Sequence, residues 1–371
     1  MTNPTTERKT WTVRCNPLLG GGTQDNAVRT PKQIVSSGIT AIAGGGNHSL
    51  FLKSDGSLWA MGQNSYGQLG DGTFSTSSPT NLPEQIVSSG VIAIAAGHSH
   101  SLFLKSGGSL LAMGYNEFGQ LGNGTTNSIP TPEQIVSSGV SAIAAGFFHS
   151  LFLKSDGSLW SMGWNLYGQL GDGAGGTFNS CTNRPQQIVG SGVVAIAAGA
   201  GHSLLLKSDG SLWAMGDNEV GQLGDGSLNS TNRPEQIVPG GVVAIAGGGS
   251  HSLFLKSDGS LWAMGWNYSG ELGDGFTNRD SSLLPEQIFP PPQPVLTSGL
   301  SSPSNLHLEA VCRFGGTFHL LTTTNPLQPL DQWTPIWTHP INNRTNNLLT
   351  ATLTNAVNSS AGQRFYILQS P

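Results

Sequence analysis

Residues 149–173 read HSLFLKSDGSLWSMGWNLYGQLGDG, and nearly the same string occurs five times in the chain. Each copy begins with a histidine, at His48, His100, His149, His202 and His251, so successive copies start 52, 49, 53 and 49 residues apart. A period near 50 residues indicates units that stack or form a ring, because one such unit cannot bury its apolar faces alone.

Each copy predicts four short β-strands. The first is an Ala/Ile/Val run such as 91–96, the second is an apolar segment such as 101–105, and the third is the Leu-Trp segment, as at 158–162. An Asp-Gly pair between the second and third strands is typical of a tight hairpin. The fourth is a Gln-Ile-Val segment that we expect to begin after a proline, at Pro83, Pro132, Pro185, Pro234 or Pro285. Four antiparallel strands per repeat describe the blade of a β-propeller, and no window shows a helical period.

The string G-x-x-H-S-L-x-L-K-S-D-G-S-L-W-x-M-G-x-N-x-x-G-Q-L-G-D-G resembles the regulator-of-chromosome-condensation repeat, in its bacterial type. The resemblance covers roughly residues 11–289 and implies an all-β ring propeller. Five full repeats fall at 39–87, 91–136, 140–189, 193–238 and 242–289, after half a repeat that begins at Trp11. The copies depart from the pattern at Gly107, Leu111, Asn123 and Glu271.

The opening half repeat raises the question of how the ring closes, because an open ring would expose an edge strand. One hypothesis is that residues 311–321, which faintly repeat the 41–51 pattern, complete the half repeat and give six blades. The alternative is that the chain lacks one or more blades. We expect a disordered segment at 1–10, a proline-rich linker at 290–296 and a separate C-terminal module at 297–371. That module resembles a β-sandwich tail of exported bacterial repeat proteins, and a remnant of the ring is the alternative.

Composition excludes several classes of function. The net charge is −5 and no lysine or arginine cluster occurs, which argues against a nucleic-acid partner. No apolar run approaches the ~18 residues of a membrane span. Cys15, Cys181 and Cys312 lack metal-type spacing, so we interpret them as free thiols or incidental. The low charge and many Ser, Thr, Asn and Gly residues favour an extracellular or cell-surface protein. Residues 1–10 do not read as a signal peptide. Because the chain opens halfway through a repeat, we expect a truncated N-terminus.

Residues that recur in every copy are best explained by what every blade needs. The five histidines lie on different blades, so we expect each to be neutral and hydrogen-bonded to its own blade's loop, and not to bind a metal. We expect the recurring tryptophans to wedge between blades, at Trp59, Trp160, Trp213 and Trp262. The hairpin aspartates Asp55, Asp156, Asp209 and Asp258 have a turn role. We identify no catalytic set, metal site or cofactor motif.

Residues that differ between copies are better candidates for binding. In a four-stranded meander the first-to-second and third-to-fourth connections lie on one side of the sheet. Several of the variable residues in these connections are aromatic, and aromatic residues dominate binding hot spots. We therefore predict a binding face that contains Tyr115, Phe118, Phe147, Phe148, Trp164, Tyr167, Trp266 and Tyr268. The acids Glu117, Asp217 and Glu219 occupy the same loops.

We therefore expect a monomeric, non-enzymatic scaffold that presents this face to a protein or a surface glycan. The resemblance implies two alternatives. Some family members are guanine-nucleotide exchange factors for small GTPases, through a wedge loop and a basic arm, and neither feature is visible here. A bacterial β-lactamase inhibitor uses a similar propeller, so enzyme inhibition is the other alternative.

The wedge role of the tryptophans gives a first prediction. We expect Trp160→Ala to lower the free energy of unfolding by about 3–5 kcal/mol, because the substitution removes a large buried side chain and leaves a cavity. Chemical denaturation measures this value. A loss below about 1 kcal/mol would contradict the packing role.

Overall fold

The computed structural model of the 371-residue chain describes residues 33–178, 180–275 and 281–289 and six strands between 295 and 369. The predicted disordered segment at 1–10 and the opening of the half repeat at Trp11 lie outside the described residues. The chain divides into two compact units. One contains the residues to Asp258 with 263–266 and 281–285, and the other contains the C-terminal strands with the remaining parts of the fifth repeat.

The five full repeats form five four-stranded antiparallel sheets, each with its strands in chain order. The first sheet contains β1 (Ile39–Gly44), β2 (His48–Lys53), β3 (Leu58–Asn64) and β4 (Ser75–Val87). The second contains β5 (Val91–Ala96), β6 (His100–Lys105), β7 (Leu110–Gly114) and β8 (Ile129–Val136). The third contains β9 (Val140–Ala145), β10 (His149–Lys154), β11 (Leu159–Trp164) and β12 (Cys181–Val189). The fourth contains β13 (Val193–Ala198), β14 (His202–Lys207), β15 (Leu212–Gly216) and β16 (Thr231–Val238). The fifth contains β17 (Val242–Gly247), β18 (His251–Lys256), β19 (Leu261–Gly265) and β20 (Ser282–Phe289). The five predicted repeats are therefore confirmed as blades, with the predicted limits.

The C-terminal strands form two three-stranded sheets. One has the order β21 (Val295–Ser302), β22 (Asn305–Cys312) and β25 (Asn347–Leu353). The other has the order β24 (Thr334–Ile341), β23 (Gly316–Thr323) and β26 (Phe365–Gln369). The segment 311–321 is thus divided between the two sheets. Its predicted partner, the opening half repeat, lies largely outside the described residues, so the closure hypothesis and the domain limits at 290–297 stay predictions.

The fourth strand of each sheet begins earlier than we expected. Pro83, Pro185 and Pro234 lie inside β4, β12 and β16 and not before them. The register of β15 with β16 shifts at this point, where Ala214 pairs with Glu235 but Gly216 pairs with Thr231. The strand accommodates the proline because it lies at the sheet edge and forms a bulge there.

The hydrophobic core lies between neighbouring sheets. Contacts between first strands link each sheet to the next, from β1 with β5 to β13 with β17. Leu102, Leu104 and Met162, which come from the second and third sheets, share one buried cluster. Trp160 packs against this cluster while partly exposed, and its ring stacks on Phe152 with centroids 6.0 Å apart. Side chains alternate between the two faces of each central strand. Each central strand therefore contributes apolar side chains to the interfaces with both neighbouring sheets.

A repeated hydrogen-bond chain joins each sheet to the next. His149 Nε2 lies 3.0 Å from Ser203 Oγ, and Ser203 Oγ donates to the backbone oxygen of Gln169 at 2.8 Å. The same histidine–serine contact joins His48 to Ser101, His100 to Ser150 and His202 to Ser252. Our expectation that each histidine bonds its own blade's loop was wrong. In His48, His100, His149 and His202 the ring reaches across the interface to the serine that follows the next histidine.

Ser203 Oγ donates its hydrogen bond to the Gln169 carbonyl, so it accepts a hydrogen bond from His149 Nε2. The neutral imidazole of His149 therefore carries its hydrogen on Nε2. The histidines of the first four sheets are completely buried. Burial lowers the pKa of His149 to about 4 and, together with neighbouring histidines, that of His202 to about 3. These histidines are therefore neutral at pH 7.

The hairpin aspartates have a local role. Asp55 Oδ1 accepts hydrogen bonds from the backbone nitrogen and the hydroxyl of Ser57, at 2.9 and 2.6 Å. Ser57 Oγ in turn accepts from Trp59 Nε1 at 2.9 Å. These bonds to Ser57 hold the pKa of the Asp55 carboxyl below its usual value. The hairpin thus orients Trp59, whose ring stacks on Phe51 of the preceding strand β2 with centroids 6.0 Å apart.

The buried histidines predict a pH dependence of stability. Their pKa values are lower in the folded chain than in the unfolded chain, so below about pH 6.5 the unfolded chain binds protons that the folded chain does not. Stability should be constant above pH 6.5 and fall as the pH falls toward 4. Each histidine should contribute about 1.4 kcal/mol per pH unit.

Urea unfolding at several pH values between 7.5 and 4.5 measures this slope. His149→Gln should reduce the slope by the contribution of one histidine, even though it lowers stability at pH 7.5. An identical slope in the variant and the parent would contradict the assignment.

Candidate functional site

Two loops of each sheet meet on one side, as predicted. In the third sheet, Phe148 precedes β10 and Trp164 ends β11, and their ring centroids lie 5.8 Å apart. The Asp-Gly hairpin, which includes Asp156, is at the opposite end of the same strands. The side opposite the Asp-Gly hairpin therefore contains the loop residues that differ from copy to copy.

The aromatic side chains on this side form one connected group, which we call the aromatic cluster. Phe118 and Phe148 are at its centre, with centroids 5.2 Å apart, and Trp164 lies 5.5 Å from Phe118. Tyr115 lies 5.7 Å from Phe148. The aromatic cluster consists of Tyr66, His98, Tyr115, Phe118, Phe147, Phe148, Trp164, Tyr167 and Phe178. The first three sheets contribute all of these residues.

Part of the aromatic cluster faces solvent. Phe178 is 62% exposed, Phe147 is 46% exposed and Tyr66 is 40% exposed, whereas the other members are half-buried. An apolar group of this size with half-exposed rings is unusual on a protein that has no partner. Contacts with neighbouring rings fix the positions of these three side chains and therefore of their exposed edges.

A longer loop in the third sheet supplies Phe178. From Asn165 to Ile188 the chain advances 23 residues, against 19 from Asn116 to Ile135 in the second sheet. Trp164 Nε1 donates to the backbone oxygen of Phe178 at 3.0 Å, and the two rings lie 5.8 Å apart. The segment 174–178, which we call the insertion, is therefore anchored to the aromatic cluster by a hydrogen bond and a ring contact.

Carboxylates border the aromatic cluster on the fourth sheet. Asp217 occupies the loop position that is Trp164 in the third sheet, and Glu219 follows two residues later. Burial and the nearby Glu219 raise the pKa of the Asp217 carboxyl. Burial and these two carboxylates also raise the pKa of Tyr167. Gly201 allows this approach, since a Cβ there would lie 3.2 Å from Asp217 Cβ and 3.3 Å from Tyr167 Cδ2.

An open cleft of about 510 Å³ lies between the third and fourth sheets, next to the aromatic cluster. Tyr167, Gly175 and Gly176 form one wall, and the last two belong to the insertion. The opposite wall is polar and consists of Asp225, Ser227, Asn229, Ser230, Thr231, Asn232 and Glu235. Of the described residues that line the cleft, none is a lysine or an arginine.

The structure brings together six of the eight predicted binding residues. They are Tyr115, Phe118, Phe147, Phe148, Trp164 and Tyr167. Trp266 follows β19 on the fifth sheet, where its backbone nitrogen donates to Ser250 at 2.8 Å. Tyr268 is 51% exposed. A binding role for any of the eight stays a prediction.

Three members of the aromatic cluster were not predicted from the sequence. Tyr66 occupies the loop position of Phe118, and His98 occupies that of Phe147, so an alignment of the copies contains the signal for both. Phe178 lies in the insertion, where Gly-Thr-Phe at 176–178 repeats the Gly-Thr-Phe at 72–74 of the first copy, but it is not at a fixed position of every repeat. Only its contacts reveal it.

Other features of the described residues bear on chemistry. No group of three or more His, Cys, Asp or Glu in this part of the chain could hold a metal ion. No helix found there is long and apolar enough to cross a membrane. Cys181 is an exposed free thiol that pairs with Trp164 across β11 and β12.

Comparisons with known proteins agree with the arrangement of repeated four-stranded sheets. A model of the RCC1-like domain matches residues 14–325. Mouse RCC2 is 39% identical over 77 residues, which are 21% of this chain and 15% of that protein. The human E3 ubiquitin-protein ligase HERC2 is 32% identical over 222 residues, which are 57% of this chain and 5% of that protein. The chain therefore spans only a small part of these relatives.

Solved structures show the same fold. Human WBSCR16 has a TM-score of 0.61 and 27% identity, with 69% of this chain and 68% of that chain covered. Prp20p from Saccharomyces cerevisiae has a TM-score of 0.66 and 22% identity, with 90% of this chain and 85% of that chain covered. Together with the repeated sheets and the matched family model, these similarities establish that this chain is an all-β propeller that belongs to the RCC1-like domain family.

Proposed function

We propose that this chain is a non-enzymatic scaffold that binds a partner protein on the aromatic cluster. The observation that carries the proposal is the combination of exposure and fixed geometry in this group. Phe178, Phe147 and Tyr66 present exposed edges, while ring contacts and the Trp164 hydrogen bond hold them in position.

Fixed aromatic side chains favour affinity for a physical reason. A side chain that is already ordered loses less conformational entropy when a partner binds, so more of the contact energy remains as affinity. Aromatic residues also bury large areas in hot spots. The sheets beneath the aromatic cluster, which are joined through buried cores and histidine–serine contacts, provide a rigid support.

The family supports a binding role in general terms. The yeast protein Prp20p has binding properties toward Gsp1p and histones. At 22% identity this similarity supports the fold and not the partner. The partner of this chain, and its extracellular or surface setting, are part of the proposal.

Guanine-nucleotide exchange and enzyme inhibition stay as alternatives. The insertion in the third sheet is the longer loop that could act on a GTPase, but it packs on Trp164 and lines the cleft. Nucleotide-release assays with small GTPases and inhibition assays with β-lactamases distinguish these activities from simple binding.

Substitution of exposed aromatic residues tests the proposal. Phe147→Ala and Phe178→Ala should each weaken partner binding about tenfold or more, since hot-spot truncations cost ~2 kcal/mol. Phe178 is 62% and Phe147 is 46% exposed, so each substitution should lower the free energy of unfolding by only about 1 kcal/mol, and the chain should stay folded. The partner is captured from the native organism, identified, purified and titrated against each variant by calorimetry.

Leu82→Ala is the matched control, because Leu82 is also an exposed apolar residue, at 57%, but lies on β4 outside the aromatic cluster. It should bind the partner like the parent chain. Equal affinity of the parent, Phe147→Ala and Phe178→Ala for every captured partner would refute the proposal. If the captured partner is a glycan and Phe178→Ala abolishes its binding, the aromatic cluster is still the binding surface, but the partner is not a protein.

A further inference from the structure

We infer that the partner presents a polypeptide segment with an apolar residue beside an arginine or lysine, and that the basic side chain enters the cleft between the third and fourth sheets. This inference rests on the proposed function, because the apolar residue would pack on the aromatic cluster. The cleft is the additional site, and its preferred ligand group is a guanidinium or an ammonium.

Continuity between the aromatic cluster and the cleft is the first argument. Tyr167 belongs to both, since its ring lies 5.7 Å from Trp164 and it also lines the cleft. The insertion of the third sheet contributes to both as well, with Phe178 in the aromatic cluster and Gly175 and Gly176 in the cleft wall. A single extended segment of a partner can therefore contact both at once.

The charged residues at the cleft determine which ligand group it favours. Asp225 and Glu235 line the cleft, and Asp217 and Glu219 lie close enough to Tyr167 to perturb its ionisation. The described lysines end the second strands at the hairpin side, away from these loops, as Lys154 does. Arg233 is the basic residue next to the cleft wall, and it packs over Gly173. The excess of carboxylates favours a cation over a neutral or anionic group.

Hydrogen bonding favours a cationic side chain over a sugar. Asp225 already accepts bonds from Asn218 Nδ2, the Ser227 nitrogen and the Ser227 hydroxyl, at 2.8 to 2.9 Å. A sugar binds through neutral hydrogen bonds and gains little from oxygens that are already engaged, whereas a cation also gains from the negative charge of Asp225 and Glu235. Glu235 is exposed and can approach a guanidinium.

The second sheet, where Asn123 departs from the repeat pattern, shows how an internal donor satisfies the glutamate at this position. There, Asn123 occupies the position of Asp225, and its Nδ2 donates to Glu133 Oε2 at 3.0 Å. The amide thus satisfies the carboxylate of Glu133. The fourth sheet keeps the aspartate of the repeat, as the first sheet does with Asp71 and Glu84, so Glu235 has no amide partner at this position and can accept from an external donor.

A volume of about 510 Å³ is within the range of about 300–1,000 Å³ for ligand sites. This space holds one long basic side chain and the backbone next to it. Two carboxylates without a third ligand do not form a metal site in this part of the chain. The cleft is therefore suited to recognise a side chain of a partner.

Selection from a random dodecapeptide library displayed on phage tests the inference. The library is first depleted on Phe178→Ala and then selected on the parent chain. We expect the selected peptides to combine an aromatic or aliphatic residue with arginine or lysine. A synthetic peptide of this kind should bind about tenfold more weakly when its arginine is replaced by citrulline, which has the same shape without the charge.

The variant Glu219→Gln with Glu235→Gln should lose about as much affinity for the arginine peptide and little for the citrulline peptide. Both residues are exposed, so folding is preserved. Raising NaCl from 50 to 500 mM should weaken the parent complex several-fold and the double variant much less. Glu84→Gln is the matched control, since Glu84 pairs with Ala60 of the first sheet as Glu235 pairs with Ala214 of the fourth.

The two proposals fail in different ways. Selected peptides that need Trp164 and Phe178 but tolerate citrulline and both glutamine substitutions would refute the basic side chain in the cleft. The proposal that the aromatic cluster binds the partner would then be kept. If bound peptides are indifferent to Phe178→Ala, both proposals fail. Absence of any selected peptide, or a glycan-array signal that Phe178→Ala abolishes, would overturn the polypeptide partner.

Discussion

The contact on which this fold depends is the one between neighbouring sheets. A buried neutral imidazole reaches from each sheet to the serine of the next, and that serine also holds a backbone carbonyl of the first. Leucine, methionine and phenylalanine side chains pack around this link on both faces of each sheet. A single sheet of four short strands could not bury these faces, so no copy is stable without its neighbours.

This dependence explains why so much of each copy is constant. The histidine and serine must recur because each interface needs both, and the glycine that follows the Gln-Leu pair must recur for a steric reason. At Gly171 the backbone has φ +75°, and a Cβ would collide with Met215 Sδ of the next sheet. Substitutions at these positions would disturb an interface, whereas the loop positions on the other side of the histidine are free to vary.

The variation is not spread evenly over the loops. The loops of the first three sheets contribute the whole aromatic cluster, whereas the fourth sheet has Asp217 at the position of Trp164 and Glu219 two residues later. The insertion contributes to both the aromatic cluster, through Phe178, and the cleft wall, through Gly175 and Gly176. A repeating framework has thus acquired an asymmetric surface, with an apolar region beside an anionic cleft.

The sequence by itself determined the repeat limits, the four-strand blade and the side on which the variable loops meet. These follow from local patterns, such as the Asp-Gly hairpin that includes Asp156, and from a period that repeats five times. The partner of each histidine, the place of Phe178 and the cleft could not be derived in this way. They depend on distances between residues about 50 positions apart, as from His149 to Ser203, or on the path of a long loop whose length varies between copies. Only the packing of one sheet on the next sets those distances, and therefore only the tertiary structure decided them.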